Sequence, residues 1–259
     1  MLVRPTQSGH ADHLANHAEA PAGSVPIREI LQRGPGATSQ PDWLLWQLAD
    51  SAFPTGGFAH SSGLETAWQH GELRNRSDLE SFVQTSLRQF GRGSLPFMTS
   101  AHADPARLIE FDLLCESFTL NHVANRASRS QGRALLASAE RIFALPRLQA
   151  LRFANPAQPS CCHLAPMFGV IARWLDIPSA TASRLFLFLH LRGLIASAVR
   201  LGVVGPLEAQ ALQHSFSGRA EETLRRCQML SIAEIAQISP LLELWQGTHD
   251  RLYSRLFQS

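Results

Sequence analysis

Residues 50–71, DSAFPTGGFAHSSGLETAWQHG, contain the side chains of this chain whose types and spacing are best suited to chemistry. His60 stands directly before Ser61, and a histidine beside a serine could supply the base and the nucleophile of a hydrolase. The Gly56-Gly57 pair could instead form a turn that binds phosphate ahead of a helix. The stretch is therefore an active-site loop, a phosphate-binding loop or a docking surface.

The first two possibilities lack residues that they need. All 23 basic residues are arginine, so the lysine of a P-loop nucleotidase is absent. No G-x-S-x-G elbow surrounds Ser61 to present it as a nucleophile. Ser62 and Glu65 instead fit the two ends of a capping box that starts a helix. A hydrolase built on His60 and Ser61 is thus disfavoured, and we predict that this chain is not an enzyme.

The same stretch is better explained as a structural or docking connection between two helices. Gly56 and Gly57 are expected to adopt positive φ angles, which glycine reaches without steric cost. Phe53 and Phe58 flank this pair. We expect both rings to anchor the connection to the core.

Two groups of residues could ligate a metal, the first of them only if residues 10–17 were helical. The candidates are His10, His13, His17, Cys162 and His163, with Cys161 adjacent to the last two. The three histidines lie in a stretch rich in Pro, Gly and Ala, and neighbouring residues rarely bind one metal together. No H-E-x-x-H or E-x-x-H pair occurs. We therefore predict no tightly bound metal or cofactor.

Composition excludes several classes of partner. The net charge is only +2 and the arginines are dispersed, so no nucleic-acid-binding surface is indicated. Four cysteines without a C-x-x-C spacing are typical of a reduced, cytoplasmic protein. The start of the chain does not resemble a signal peptide. Residues 185–201 are apolar enough to suggest a membrane span, but an arginine near its centre, Arg192, would cost roughly 2.5–3.5 kcal/mol. A buried helix is the better interpretation.

The elements that must position these residues are helical. Residues 1–41 lack sustained periodicity and predict a flexible N-terminal arm. Residues 42–259 show helical spacing almost throughout and predict one all-α helical-bundle domain. Two more capping boxes, at residues 77–80 and 231–234, mark helix starts. Residues 179–201 are apolar nearly all round, which places that helix at the centre of the bundle.

The C-terminal residues 249–259, HDRLYSRLFQS, are rich in arginine and aromatic side chains. Such a composition is typical of interface hot spots. A last helix that packs on its own core would have the same composition. Both interpretations stay open.

Five blocks of the chain resemble the UreF family of urease accessory proteins. They are LLWQLADSAFPTGGFAHSSGLETA (44–67), NRASRSQGRALLASA (125–139), HLAPMFGVIARWLDIP (163–178), FLFLHLRGLIASAVRLGVVGPLEAQ (186–210) and DRLYSRLFQS (250–259). The blocks occur in order from about residue 43 to the end, so the resemblance covers the whole predicted bundle.

The resemblance implies an all-helical protein without an active site of its own. UreF-like proteins form homodimers and bind the accessory protein UreD, called UreH in some organisms. The pair recruits the GTPase UreG, modulates its cycle and helps to deliver nickel to apo-urease. The resemblance therefore implies a cytoplasmic nickel-insertion chaperone, with nickel handled by the assembly rather than bound tightly by this chain.

The family's motifs fall on three groups of residues, which become the candidate partner-binding set. In the loop these are Phe53, Pro54, Thr55, Gly56, Gly57, Phe58, His60, Ser61, Gly63 and Glu65. In the second block they are Asn125, Arg126, Arg129, Gly132 and Arg133, and at the C-terminus Arg251, Tyr253, Arg255, Leu256, Phe257 and Ser259.

An alternative function stays open at this point. The histidine-rich arm, or the group at Cys162 and His163, would make the chain a nickel-binding storage or relay protein in its own right.

Overall fold

The computed structural model describes residues 41–148 and 160–259 of the 259-residue chain. Within these residues lie ten helices with defined ends and no strand. The helices are α1 (Pro41–Ala49), α2 (Leu64–Gln69), α3 (Arg76–Gly93), α4 (Leu95–Ala103), α5 (Leu108–Phe118), α6 (His122–Phe143), α7 (Leu164–Trp174), α8 (Ser179–Arg200), α9 (Pro206–Cys227) and α10 (Pro240–Gly247). The all-α prediction is confirmed.

The arm predicted for residues 1–41 lies outside the described residues except for Pro41, which begins α1. The same holds for the candidate metal ligands His10, His13 and His17.

Helices α7 and α8 form the centre of the bundle. α7 packs against α4, α5, α6 and α8, and α8 packs against α3, α4 and α9. Every residue from 165 to 172 of α7 is buried, so this helix has almost no solvent-facing side. Such a helix must be enclosed by others because its apolar surface has no other place to be buried.

α8 is the helix in the described part of the chain that is long and apolar enough to cross a membrane. Its most apolar 18-residue window is 56% buried against the rest of the bundle. Arg192, within that window, donates a hydrogen bond to the carbonyl of Ala49 and lies over the Phe188 ring. The helix thus occupies the buried position that its composition predicted.

Two glycines let α6 and α7 approach their neighbours closely. A Cβ added to Gly132 of α6 would lie 1.9 Å from the carbonyl oxygen of Cys162. A Cβ added to Gly169 of α7 would lie 2.2 Å from the carbonyl oxygen of Met98. No larger residue fits at either position unless the main chain moves.

Of the two capping boxes outside the loop, one is confirmed. Ser231 and Glu234 cap each other at the start of a 3₁₀ turn. The box predicted to start at Ser77 is wrong, because the N-cap of α3 is Asn75, whose side chain accepts from the Asp78 amide at 3.1 Å. An asparagine two residues upstream supplies an equally good acceptor, so the helix begins there.

Candidate functional site: the loop, the tail and the cavity behind them

The loop, residues 50–63, makes a sharp turn that depends on glycine at two positions. Gly56 has φ 70° and Gly63 has φ 87°, both in the left-handed region. A Cβ on Gly63 would also lie 3.1 Å from the backbone nitrogen of Gln246. The positive φ expected of Gly57 is wrong, since this residue begins a 3₁₀ turn over Gly57–Ala59.

One of the two predicted phenylalanine anchors is present. Phe53 is buried and stacks on Phe143 with ring centroids 6.3 Å apart. Phe58 is 70% exposed, so its predicted anchoring role is wrong. The 3₁₀ turn leaves its ring in solvent, and the Arg200 guanidinium instead bonds to the Phe58 carbonyl.

The capping box predicted for Ser62 and Glu65 is also wrong. Gly63 is the N-cap of α2, and no side chain caps that helix. Glu65 is buried and accepts hydrogen bonds from three groups near the C-terminus: the Leu256 amide at 2.6 Å, the Phe257 amide at 3.2 Å and His249 Nε2 at 2.9 Å. Glu65 thus binds the tail, residues 252–259, to α2.

The loop backbone holds the end of the same tail. The Ser61 amide donates to the Ser259 carbonyl oxygen at 2.6 Å, and the Gln258 amide donates to the Ala59 carbonyl at 2.8 Å. The Nδ1 atom of His60 is hydrogen-bonded to Ser259 Oγ at 2.5 Å. The loop and the tail, 199 residues apart in sequence, therefore form one unit.

The tail is half core and half surface. Phe257 and Ser259 are buried, and the Arg200 guanidinium lies over the Phe257 ring at 4.2 Å from its centroid. Tyr253 and Leu256 are exposed by 105% and 51%. The core-packing interpretation of the C-terminal composition holds for Phe257, whereas the exposed Tyr253 and Leu256 leave the interface interpretation a prediction.

Exposed apolar side chains lie on the tail, on α2 and on α10. We call this set the tail face; it comprises Trp68, Leu241, Leu244, Tyr253 and Leu256, all of them 40% exposed or more. α10, which carries Leu241 and Leu244, packs on α2. The tail is joined to α2 by a hydrogen bond from Gln69 Nε2 to the Ser254 carbonyl at 2.9 Å. Exposed apolar side chains that gather in one region are typical of a docking surface.

Asp250 links the second block of predicted residues to the tail. It pairs with Arg126 at 2.8 Å, with Arg255 at 3.1 Å and with His122 at 3.3 Å. Hydrogen bonds from Arg126 hold the pKa of Asp250 below its ordinary value. Sequence reasoning missed Asp250, since nothing in its local spacing marks it as the partner of an arginine on another helix.

The remaining predicted residues lie apart from this unit or on its edge. Pro54 is exposed and its carbonyl accepts from Ser138, while Thr55 is half-buried in the turn. Arg133 and Arg251 are exposed without an ion pair in the described part of the chain, and Arg129 pairs with Glu116. Asn125 donates to the Thr119 carbonyl at 3.3 Å.

His163 lies in a second hydrogen-bonded cluster, at the start of α7. Its Nε2 is hydrogen-bonded to Glu116 at 2.7 Å and its Nδ1 is hydrogen-bonded to Ser128 at 3.0 Å, and the ring is fully buried. Buried Asp112 accepts from the amides of Cys162 and His163 at 2.9 and 2.8 Å. Both ring nitrogens are occupied, so this arrangement favours a structural role for His163 rather than metal ligation. Sequence reasoning missed Asp112 and Glu116.

A cavity lies behind the loop. It has two adjoining parts of about 170 and 150 Å³. Both parts are lined by His60, Ser62, Phe90, Gln131, Leu164, Phe186 and His190. Glu243 also lines the first part, and burial raises the pKa of its carboxyl group.

Two histidines in the cavity wall are neutral at pH 7. Burial lowers the pKa of His60 to about 4, and Arg126 and His249 add to that effect. Burial also lowers the pKa of His190 to about 4. His190 stacks on Phe90 at 4.0 Å and is hydrogen-bonded to Ser86 at 2.9 Å. Neutral imidazoles can offer a lone pair to a passing transition-metal ion.

These depressed pKa values predict a loss of stability in mild acid. Between pH 6.5 and 4 the unfolded chain takes up protons on both histidines while the folded chain does not, so the free energy of unfolding falls as the pH falls. We expect His190→Gln to reduce the difference in unfolding free energy between pH 7 and pH 5 by about 2 kcal/mol. Urea unfolding at the two pH values measures it.

The exposed His214 provides the control for this experiment. His214→Gln should leave the difference between pH 7 and pH 5 as in the unsubstituted chain. If His190→Gln and His214→Gln show the same pH dependence, His190 is not the source of the acid sensitivity.

Comparison with known proteins agrees with this architecture. A family model for UreF matches residues 73–217. Urease accessory protein F of Oryza sativa subsp. indica is 41% identical over 220 residues, which cover 83% of this chain and 84% of the relative. The Arabidopsis thaliana protein of the same name is 38% identical over 227 residues, 86% and 95% of the two chains. Urease accessory protein UreF of Arthrobacter sp. (strain FB24) is 30% identical over 219 residues, 83% and 96%. This chain therefore belongs to the UreF family of urease accessory proteins.

Proposed function

We propose that this chain is a cytoplasmic nickel-insertion chaperone that acts by assembly. Its family supports a role in urease maturation. In the proposed function the chain, as a homodimer, binds UreD (UreH), recruits the GTPase UreG, modulates its cycle and so helps to deliver nickel to apo-urease. The partners and the nickel step come from the family resemblance.

The tail face is the observation that carries the binding of UreD. It is apolar and exposed, and the backbone of its tail residues next to Phe257 is hydrogen-bonded to Glu65. Tyrosine is among the residues most enriched in interface hot spots, and Tyr253 is fully exposed. Because the tail is already ordered, docking on it would cost little conformational entropy.

The environment of the loop supports a protein that is not an enzyme. The Oγ atom of Ser61 is buried and has no hydrogen-bond partner within the described residues. His60 is engaged by Ser259 instead. A serine nucleophile needs a base within hydrogen-bond reach, and this arrangement does not provide one.

The cavity supports the handling of nickel without a permanent site. Nickel accepts imidazole ligands, and His60 and His190 stand on the wall of the same cavity. Two histidines and few other ligands favour transient contact over storage. The alternative of a nickel store at Cys162 and His163 is not favoured, because His163 is committed to Glu116 and Ser128.

Substitution of the tail face tests the proposed function. We expect the double substitution Leu244→Ala/Tyr253→Ala to weaken binding of purified UreD by at least tenfold, because truncating a hot-spot side chain costs about 2 kcal/mol. Co-purification and titration calorimetry measure the loss.

The matched control is Leu207→Ala/Met229→Ala, which removes two side chains that are 88% and 85% exposed elsewhere on the surface. This control should bind UreD normally. Equal binding by both variants would place UreD on another surface, and failure of the unsubstituted chain to bind UreD would contradict the proposed function itself. Deletion of residues 251–259 is a poorer test, since it also removes Phe257 from the core.

A further inference from the structure

A groove rich in arginine lies between α3 and α9, which pack against each other. Its volume is about 400 Å³. Four of its lining residues are arginines, Arg88, Arg92, Arg219 and Arg226, whereas Glu222 is the one carboxylate in its lining. None of these residues belongs to the loop, the tail or the cavity described above.

Gly91 brings the two rows of arginines together. A Cβ at this position would lie 2.6 Å from Thr223 Cγ2 and 3.1 Å from Cys227 Sγ. The absence of a side chain therefore lets the helices approach at Gly91, which lies between Arg88 and Arg92 on α3. On α9 the facing residues are Thr223, which lies between Arg219 and Arg226, and Cys227, which follows Arg226. The arginines of both helices therefore line one groove.

The lining of the groove carries more positive than negative charge. The oxygens of Glu222 accept from Arg225 and Arg226. Arg88 and Arg219 form no ion pair within residues 41–148 and 160–259. Like charges this close repel one another in the free chain, and an anion would relieve that repulsion.

Arg92 is the most enclosed of the four. Its Nε atom is buried and makes no hydrogen bond to any described residue. The carboxylate of Glu234 interacts electrostatically with Arg92. However, it is already hydrogen-bonded to the amide and hydroxyl of Ser231 at 2.9 and 2.8 Å. The nearest acid therefore does not neutralise this arginine.

The spacing of the four arginines favours one kind of anion over another. Arg88 and Arg92 are four residues apart, about 6 Å along the helix, and Arg219 and Arg226 are seven apart, about 10.5 Å. A phosphate site gathers its donors around one point and uses free backbone N–H groups, which the interiors of two helices do not offer. Carboxylates spaced along an extended chain match a row of guanidiniums better.

We infer that the groove binds an acidic segment of a partner protein, with Asp or Glu side chains at several points along it. Ile238, 45% exposed and also in the lining, adds an apolar contact beside the charges. Arginine combined with apolar side chains is typical of interfaces. This inference is independent of the proposed function.

A labelled decaglutamate peptide tests the inference with the full chain. Fluorescence anisotropy should show binding that weakens with salt, because exposed charges are screened. We expect Arg88→Gln/Arg219→Gln, two exposed positions, to raise Kd at least tenfold while the thermal midpoint stays unchanged.

The control is Arg76→Gln/Arg107→Gln, which lowers the net charge equally at exposed arginines outside the groove lining, paired with Glu80 and Glu110. It should change Kd less than twofold. No binding by the unsubstituted chain, or equal weakening by both double variants, would overturn the inference. Displacement of the peptide by an equal concentration of inorganic phosphate would also overturn it, in favour of a small-oxyanion site.

Discussion

Replacement of Gly132 by alanine is expected to destabilise the folded chain by about 3 kcal/mol. The new Cβ would lie 1.9 Å from the Cys162 carbonyl oxygen and 2.9 Å from the carbonyl carbon of His163. Both obstacles are backbone atoms, so no side-chain rotation can relieve the clash. The main chain at residues 162–163 would have to shift, and its hydrogen bonds to Asp112 would be strained.

Chemical denaturation of the purified variant measures this effect. Gly218→Ala is the matched control, because Gly218 also lies inside a helix but a Cβ there would meet nothing within 4 Å. The control should gain up to about 1 kcal/mol from the better helix propensity of alanine. If Gly132→Ala were as stable as the unsubstituted chain, the close contact between α6 and the Cys162 backbone at Gly132 would be contradicted.

Replacement of Glu65 by glutamine is expected to cost about 3 kcal/mol and to release the tail. Oε1 accepts from the Leu256 amide, and Oε2 accepts from the Phe257 amide and from His249. Glutamine has the same shape, but its NH₂ group would face an N–H donor whichever way the amide is oriented. At least one buried donor would then lose its acceptor.

Hydrogen exchange at the Leu256 and Phe257 amides separates release of the tail from general destabilisation. Both amides should exchange faster in Glu65→Gln under conditions where the centre of α7 remains protected. Glu72→Gln, at an exposed glutamate seven residues away, should leave them unchanged. Unchanged protection in Glu65→Gln would show that the tail is held by its other contacts, namely the core packing of Phe257 and the hydrogen bonds to the loop.

The fold brings UreF-like blocks that are distant in sequence into contact. Glu65 of the first block binds the tail, and Gly132 of the second block packs against the start of the third. Under the proposed function, Glu65→Gln should therefore weaken UreD binding without touching the partner, because Tyr253 would no longer be held in place.

Local features were predictable from the sequence because they depend on neighbours along the chain. The apolar periodicity of residues 79–87 and the buried character of α8 reflect burial on one helix at a time. The cap at Ser231 satisfies backbone groups three residues away. The failure at Ser77 also has a local cause, because Asn75 lies two residues upstream and caps the helix instead.

Long-range roles could not be predicted because residue type is compatible with more than one partner. Glu65 has the right position for a capping box, and only the folded chain shows that its oxygens serve the tail instead. Phe53 and Phe58 are identical in type, yet one is buried and the other is exposed. Their difference arises from the direction of a 3₁₀ turn, which the residues themselves do not specify.

By itself the sequence determined the helical class, the absence of a P-loop lysine and the resemblance to the UreF family. These properties depend on composition, on short-range periodicity and on ordered motifs. Only the tertiary structure decided that loop and tail form one unit, that His163 is engaged on both nitrogens, and that four arginines share a groove. Each of these depends on contacts between residues far apart in the chain, and such contacts form only when the bundle closes and buries its core.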